Sequence, residues 1–328
     1  MEASQCSWTS DQRTTNAMEL IDRRDVLTVV AGMLGALVYP RLTSTQGTKT
    51  RLILLGTGGG PRPRTASSAS AQVILVNDEA YVVDCGNGVA RQLVFAGVPL
   101  PRLRHIFLTH HHSDHNADYG NLISLAWAAG LQSRVDTWGP PPLEKMTALF
   151  FQMNASDIEG RIADESRVPL APLVHVHEIG EGGTVMHNDR VKVTATIVNH
   201  PPFDLAFAYR FDTADRSIVI SGDTARSDNL VKLARGADVL VHSAVYFPAV
   251  DRLIARVPNA TTLRQTIIRG QTSAEDAGRV AQAAGVKTLV LSHLIPADDP
   301  TVIDQMWIDA ARTQFKGTVI VGKDLLEV

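Results

Sequence analysis

The chain has 328 residues, 45% of them hydrophobic, which is enough to fill a sizeable core, and a formal net charge of -3. That balance excludes an overall basic footprint of the kind that neutralises phosphates, so a polyanionic partner is not expected. With only two cysteines, Cys6 and Cys85, no disulfide framework is available either.

Arg23 and Arg24 precede an uncharged apolar run from Val26 to Tyr39, a pattern that reads as a twin-arginine export signal. Residues 1–42 are expected to be that signal and a flexible N-terminus, and residues 43–328 a single domain. The expected location is the periplasm, or the cytoplasm if the signal is not used. The run is shorter than the ~20 residues of a membrane span, so no stable membrane insertion is expected. Next, "RLILLGTGGG" predicts a buried strand running into a glycine-rich turn, and "AQVILVN" and "AYVVDCG" two strands joined by Asn77 and Asp78. A helix over 88–96 leads to the apolar strand "HIFLTH", and residues 143–162 are helix-like. Three strands follow in "VKVTATIVNH", "LAFAYRFD" and "RSIVISGD". The last third then alternates helix and strand through "DVLVHSA", a helix over 273–284, "TLVLSHL" and a helix around 306–315. This succession is that of an α/β layered domain.

The stretch "THHHSDHNADYG" carries the chemistry. His110, His112, Asp114 and His115 form an H-x-H-x-D-H run, and four ionisable groups this close repel one another or need desolvation unless a cation joins them. Strand alternation sends His110 and His112 to one side and His111 to the other, which makes His111 the least suitable ligand. Imidazole with carboxylate suits zinc, with manganese or iron as competitors, and further ligands must come from other segments. Three candidates end apolar strands: His200 in "TIVNHPP", Asp223 in "IVISGDT" and His293 in "LVLSHLIP".

The set His110, His112, Asp114, His115, His200, Asp223 and His293 resembles the ligand pattern of the metallo-β-lactamase superfamily. "LLGTGGGPRP", "VVDCGNGVARQL", "IFLTHHHSDH", "SGDT", "ADVLVHSA" and "GKDLLEV" are similar to its tRNase Z and arylsulfatase-like branch. The resemblance spans nearly the whole chain after Arg51. It implies an αββα sandwich with the metal site at one edge of the two sheets. It further implies one Zn2+ on His110, His112 and His200 and a second on Asp114, His115 and His293, with Asp223 bridging and Asp84 orienting a ligand histidine. A single ion on Asp114, His115, Asp223 and His293 stays open. Two divalent ions so placed lower the pKa of a shared water from ~15.7 towards ~7, which makes hydrolysis the expected reaction. Asp114 would then accept or relay the proton. His242 aligns with the histidine that protonates the leaving group in tRNase Z-like enzymes, although Ser243 follows it where a glutamate has a role elsewhere in the family.

In bacterial tRNase Z the tRNA-clamping arm lies between the third histidine ligand and the bridging aspartate. Here the interval from His200 to Asp223 is largely used by two strands, so the expectation is a small-molecule substrate and no nucleic acid. Trp127, Trp138, Phe150, Phe151, Met153, Tyr246 and Phe247 are candidate walls of an apolar pocket for an aromatic molecule, with ordinary core packing as the alternative. The overall layout also resembles the chlorothalonil hydrolytic dehalogenases, which implies replacement of an aryl chlorine by hydroxyl. Arylsulfatase or phosphodiesterase activity, lactonase or β-lactamase activity, and a non-catalytic metal-binding protein are the alternatives. A homodimer is compatible with the resemblance, dimers being common on this fold.

Overall fold

A computed structural model describes residues 50–328, so the expected export segment, residues 1–42, lies outside the described residues. The first half contains β1 (Thr50–Gly56), β2 (Ala71–Val76), β3 (Glu79–Val83), α1 (Val89–Phe95), β4 (Leu103–Phe107), α2 (Ser113–Asn116) and α3 (Tyr119–Ala128). It continues with β5 (Val135–Gly139), α4 (Leu143–Met153), α5 (Ala155–Glu165) and β6 (Val174–Glu178). The second half contains β7 (Gly183–His187), β8 (Val191–Ile197), β9 (Phe207–Thr213), β10 (Ser217–Ile220), α6 (Asp228–Leu233), β11 (Val239–Val245) and α7 (Val250–Ile254). After these come α8 (Leu263–Gly270), α9 (Ala274–Ala284), β12 (Thr288–Ile295), α10 (Asp304–Arg312) and β13 (Thr318–Val321). The first six strands form one sheet in sequence order, and the others a seven-stranded sheet ordered β13-β12-β11-β10-β9-β8-β7.

Most of these strands read as continuous apolar runs because both of their faces are covered. In β1, Leu52 and Leu54 point between the sheets while Ile53 and Leu55 point to the helices. In the second sheet, Ile218, Ile220, Val239 and Val241 face inward, whereas Val219 and Leu240 meet α6, α9 and α10. The result is the expected αββα sandwich. Residues 143–162 form two helices rather than one, because Asn154 turns its side-chain amide onto the Phe150 carbonyl and ends α4 there. Strands β5, β6 and β7 left no trace in the sequence pattern: "VDTWG", "VHVHE" and "GTVMH" are short and half polar.

Phe107, the last residue of β4, pins the two sheets together. Its ring stacks on Trp138 at 4.9 Å and meets Tyr209 and Phe211 of the opposite sheet edge-on at 5.4 and 5.2 Å. Each such pair contributes about 0.5–1.5 kcal/mol beyond its buried area. Just beyond it the chain crosses to the other sheet: Tyr209 Oη donates to the Leu108 carbonyl at 2.8 Å, and the Phe207 amide to the Thr109 carbonyl at 2.9 Å. The histidine-rich loop therefore starts from a fixed point between the sheets.

Helices α9 and α10 approach closely at Gly278, where a Cβ would run into the Ala311 carbonyl. Gly160 in α5 faces open space. Gly278→Ala is expected to lower stability in urea unfolding by about 1–3 kcal/mol through overpacking. By contrast, Gly160→Ala should raise it by about 0.5–1 kcal/mol, since a helix interior loses only glycine's entropic penalty.

Candidate metal centre

Four segment ends converge at one edge of the sandwich. The loop after β4 brings His110 and His112, and α2 brings Asp114 and His115. His200 follows β8, Asp223 follows β10, and His293 comes from within β12. His293 sits where the β11–β12 register slips between Ser243 and Ala244, and its φ of 46° is left-handed. A bulge of this kind re-aims a side chain that regular pleating would leave elsewhere. All seven groups are buried or half-buried.

The donor atoms fall into two groups, His110, His112, His200 and Asp223 in one and Asp114, His115 and His293 in the other. Within each group the ligand atoms lie within 4.8 Å of one another. Asp223 touches both, at 3.8 Å from His200 Nε2, 3.5 Å from His115 Nε2 and 3.3 Å from His293 Nε2. Hydrogen bonds outside the cluster fix which nitrogens carry lone pairs. His200 Nδ1 donates to the Gly270 carbonyl at 2.8 Å and His115 Nδ1 to Asp84 at 2.7 Å. The Thr109 hydroxyl donates to Asp84 and accepts from His110 Nδ1 at 3.0 Å. The unprotonated Nε2 atoms of His110 and His200 then face His112 Nδ1 at 2.9 and 3.0 Å, and one ring proton cannot satisfy both. His115 Nε2 and Asp223 Oδ1 are buried with no hydrogen-bond partner. Orphaned lone pairs converging in this way fit divalent cations and leave the site polar but unsatisfied without them.

The electrostatics agree. Burial drives the His110, His112 and His200 imidazoles below their ordinary value, towards the neutral form that ligates. Burial also pushes the Asp114 and Asp223 carboxyls up, but the surrounding histidines outweigh it and hold both below the carboxylate range. Desolvation opposes a charge on His115, yet Asp223, Asp84 and Asp114 pull its pKa well above normal, so the carboxylates concentrate a potential that calls for positive charge.

The Asp84 carboxylate, on a residue with φ 61°, accepts from the Thr109 amide at 2.8 Å, the Thr109 hydroxyl and His115, and so sets the ligand loop and one imidazole together. Gln271, unforeseen in the sequence, donates to Asp223 at 2.6 Å. The glycine-rich turn also reaches the site: the Gly60 amide donates to Asp114 at 2.8 Å, and a side chain at Gly59 would collide with His293. Asp324 in the "GKDLLEV" segment braces that turn by accepting from Thr57, the Ser68 amide and Gln92.

A cavity of about 380 Å³ opens over His112, Asp114, His200, Asp223 and His293. One wall is the Gly59–Arg64 turn with Arg62 and Arg64, and the other is apolar, made by Leu253, Val257, Leu263 and Ile267 around α7 and α8. The aromatic residues expected to wall it lie elsewhere. Trp127, on α3, points into the core with its indole NH on the Val168 carbonyl, and Trp138 is between the sheets. Phe150 packs onto Gly120, Phe151 onto the first helical layer, Tyr246 on Trp307 and Phe247 in a small cluster with Val250, while Met153 is exposed. Their large apolar area went to packing, and the wall was built from aliphatic residues whose helical spacing looks like any amphipathic helix. His111 turns away to the Pro140 carbonyl at 2.7 Å, through loop geometry rather than strand alternation. His242 is fully buried on the Leu240 and Ala244 face of β11 and lies outside the cavity lining, with burial pushing its pKa down to about 4. Its Nδ1 donates to the Ser243 carbonyl at 2.7 Å, and its Nε2 is buried without a hydrogen-bond partner.

An αββα sandwich with paired histidine and aspartate donors at its edge defines a divalent-metal hydrolase. A profile for the "Beta-lactamase superfamily domain" matches residues 80–294, and the chain belongs to that superfamily. Curated relatives agree over most of the length. A Ribonuclease Z of Mycobacterium bovis is 31% identical over 280 residues, covering 84% of this chain and 97% of the relative. A Ribonuclease Z of Mycobacterium sp. strain KMS is 33% identical over 277 residues, covering 84% and 94%. Among solved structures, a metallo-beta-lactamase fold protein from Bacillus subtilis and the short form of human tRNase Z share the fold, with TM-scores of 0.62 and 0.61. Each is 21% identical, covering 85% of this chain and 98% of the other.

These relatives overturn two expectations. Hydrolytic dehalogenation of an aryl chloride, and small-molecule hydrolysis with it, gives way, because the relatives at this identity are named for a nuclease. The exclusion of nucleic acid gives way on the same finding. It rested on net charge and on the short interval between His200 and Asp223. That interval is indeed filled by β9 and β10, but a charge summed over the chain says nothing of Arg62 and Arg64 at the cavity itself.

Elemental analysis of dialysed variants tests the centre. Asp84→Asn is expected to weaken metal retention by about 10- to 100-fold, the usual cost of losing an orienting partner, and Asp223→Ala by more. His111→Ala should retain wild-type metal content, and its loss would place His111 among the ligands.

Proposed function

We propose that this chain is a zinc-dependent phosphodiesterase that cleaves RNA, with a transfer RNA precursor as its substrate class. The reading is carried by one observation: two groups of metal-fitting donors, linked through Asp223, form the floor of a cavity rimmed by arginines, in a chain about 30% identical to enzymes named Ribonuclease Z. Imidazole nitrogens with carboxylate oxygens are the donor set zinc prefers. His110 and His200 through Nε2 and His112 through Nδ1 would hold one ion, and Asp114, His115 and His293 the other, with Asp223 between them. Bound there, the metal lowers the pKa of water and neutralises charge on the attacked phosphoryl group.

The protein's own groups do the rest. Asp114, held ionised and steadied by the Gly60 amide, is placed to take the proton from the attacking water. Arg62 and Arg64 at the rim supply charge for non-bridging phosphate oxygens. The aliphatic wall from Leu253 to Ile267 excludes water and can cover the face of a nucleoside. Water attacks phosphorus as its proton passes to Asp114, one phosphorus–oxygen ester bond breaks, and the departing alkoxide takes up that proton from Asp114 or one from solvent.

Incubation of the zinc-loaded protein with a 3′-extended tRNA transcript tests this. Cleavage is expected, to stop on chelation, to return with zinc and to fall more than about 100-fold in Asp223→Ala, a larger effect than loss of an outer partner. A fully metallated protein that leaves the transcript intact defeats the proposal.

A further inference from the structure

A second groove, of about 480 Å³, shares Pro61, Arg62 and Arg64 with the cavity above the metal centre and runs away from it along α1. Its far wall is formed by Asn87, Arg91 and Phe95, and no aspartate or glutamate lines it. The Arg91 guanidinium lies 5.1 Å over the Phe95 ring. Arg91 takes part in no ion pair among the described residues, and Val94 and Phe95 are each 58% exposed. Within the groove, Arg64 Nε and Ser67 Oγ are buried without hydrogen-bond partners, although Arg64 is anchored by the Gly59 and Gly60 carbonyls.

Arg62 pairs with Asp298 outside the groove at 3.8 Å, but no carboxylate lines the groove itself and Arg91 has no ion pair among the described residues, so the lining favours a polyanion. An exposed ring beneath a planar cation is also a surface on which a base can stack. We infer that this groove is a subsite for single-stranded RNA flanking the scissile bond, in which Arg62, Arg64 and Arg91 follow the backbone and the Arg91–Phe95 pair stacks one base. The inference rests on the RNA-cleaving reading above. It goes beyond that reading by giving the strand a path: out of the metal cavity, over the Gly59–Arg64 turn and onto α1. The turn has a reason for its rigidity on this account, since it is the wall common to both spaces. Stacking is indifferent to base identity, so the subsite senses the length of the flank rather than its sequence.

The test uses zinc-loaded protein and two tRNA transcripts with the same cleavage position, one carrying a single-nucleotide flank and the other a six-nucleotide single-stranded flank. The wild type is expected to prefer the longer flank by about tenfold in kcat/KM, as one stacked base with one phosphate contact provides. In Arg91→Glu and in Phe95→Ala, both exposed positions, that ratio should fall below about threefold, chiefly through KM. Arg91→Ala should also flatten the salt dependence of KM by about 0.7 of a logarithmic unit per decade, the release expected for one phosphate contact on a single strand. Wild-type protein that cuts neither transcript overturns the functional reading and this subsite together. Cutting with no length preference, or variants that keep the wild-type ratio, overturns the subsite alone.

Discussion

Lone pairs of imidazole nitrogens and aspartate oxygens meet in a buried pocket with too few protons to satisfy them, and much of the structure follows from that constraint. His112 Nδ1 lies 2.9 Å from His110 Nε2 and 3.0 Å from His200 Nε2, and Asp223 lies between both groups with one oxygen unpartnered. Such an arrangement is costly in a low dielectric unless cations occupy its centre. It therefore has to be enforced from outside, and the surrounding residues are placed to do so. Asp84 holds Thr109 and His115, Gln271 holds Asp223, and the Gly270 carbonyl fixes the ring of His200.

The fold supplies that enforcement by ending its strands at one edge. Phe107 locks β4 into the core between the sheets, and three residues later the chain delivers His110. The Phe207 and Tyr209 bonds to Leu108 and Thr109 prevent the loop from retreating into one sheet. The slip in β12 turns His293 inward, and the glycines at 59 and 60 let the opposite turn come close enough to donate to Asp114. Preorganisation of this kind is what a metal hydrolase needs, because ligand geometry then need not be found at the moment of reaction.

The layers, and the convergence of these histidines and aspartates at one sheet edge, were readable in the sequence for the same physical reason. A strand buried on both faces shows as an uninterrupted apolar run, and a polar residue closing that run has few explanations. The ring of aromatic residues proposed for the pocket failed because size and hydrophobicity are demanded equally by core and cavity, and only the path of α7 and α8 decides between Tyr246 and Leu253. His242 ends up sealed under α9, a position set by the pleat of β11 and by the helix that covers it, neither of which a strand-end pattern reveals. Net charge was no ground for excluding a polyanion, because it averages over the surface, while two arginines on one turn, Arg62 and Arg64, act locally at the cavity. Strands β6 and β7, with their mixed polar composition, are held by neighbours rather than by their own pattern.

The ligands also have a mechanical meaning. Asp114 and His293 are 179 residues apart in the chain, the first on α2 just after β4 of one sheet and the second within β12 of the other. A cation joining them is in effect a cross-link across the whole sandwich, closing a loop as long as many entire domains. By the chain-entropy account used for disulfides, closing a loop longer than 100 residues removes on the order of 5 kcal/mol of freedom from the unfolded chain. In a protein whose only described cysteine is buried and unpaired, an ion held there would also act as a clasp between the two halves of the molecule, added to the core already packed between the sheets.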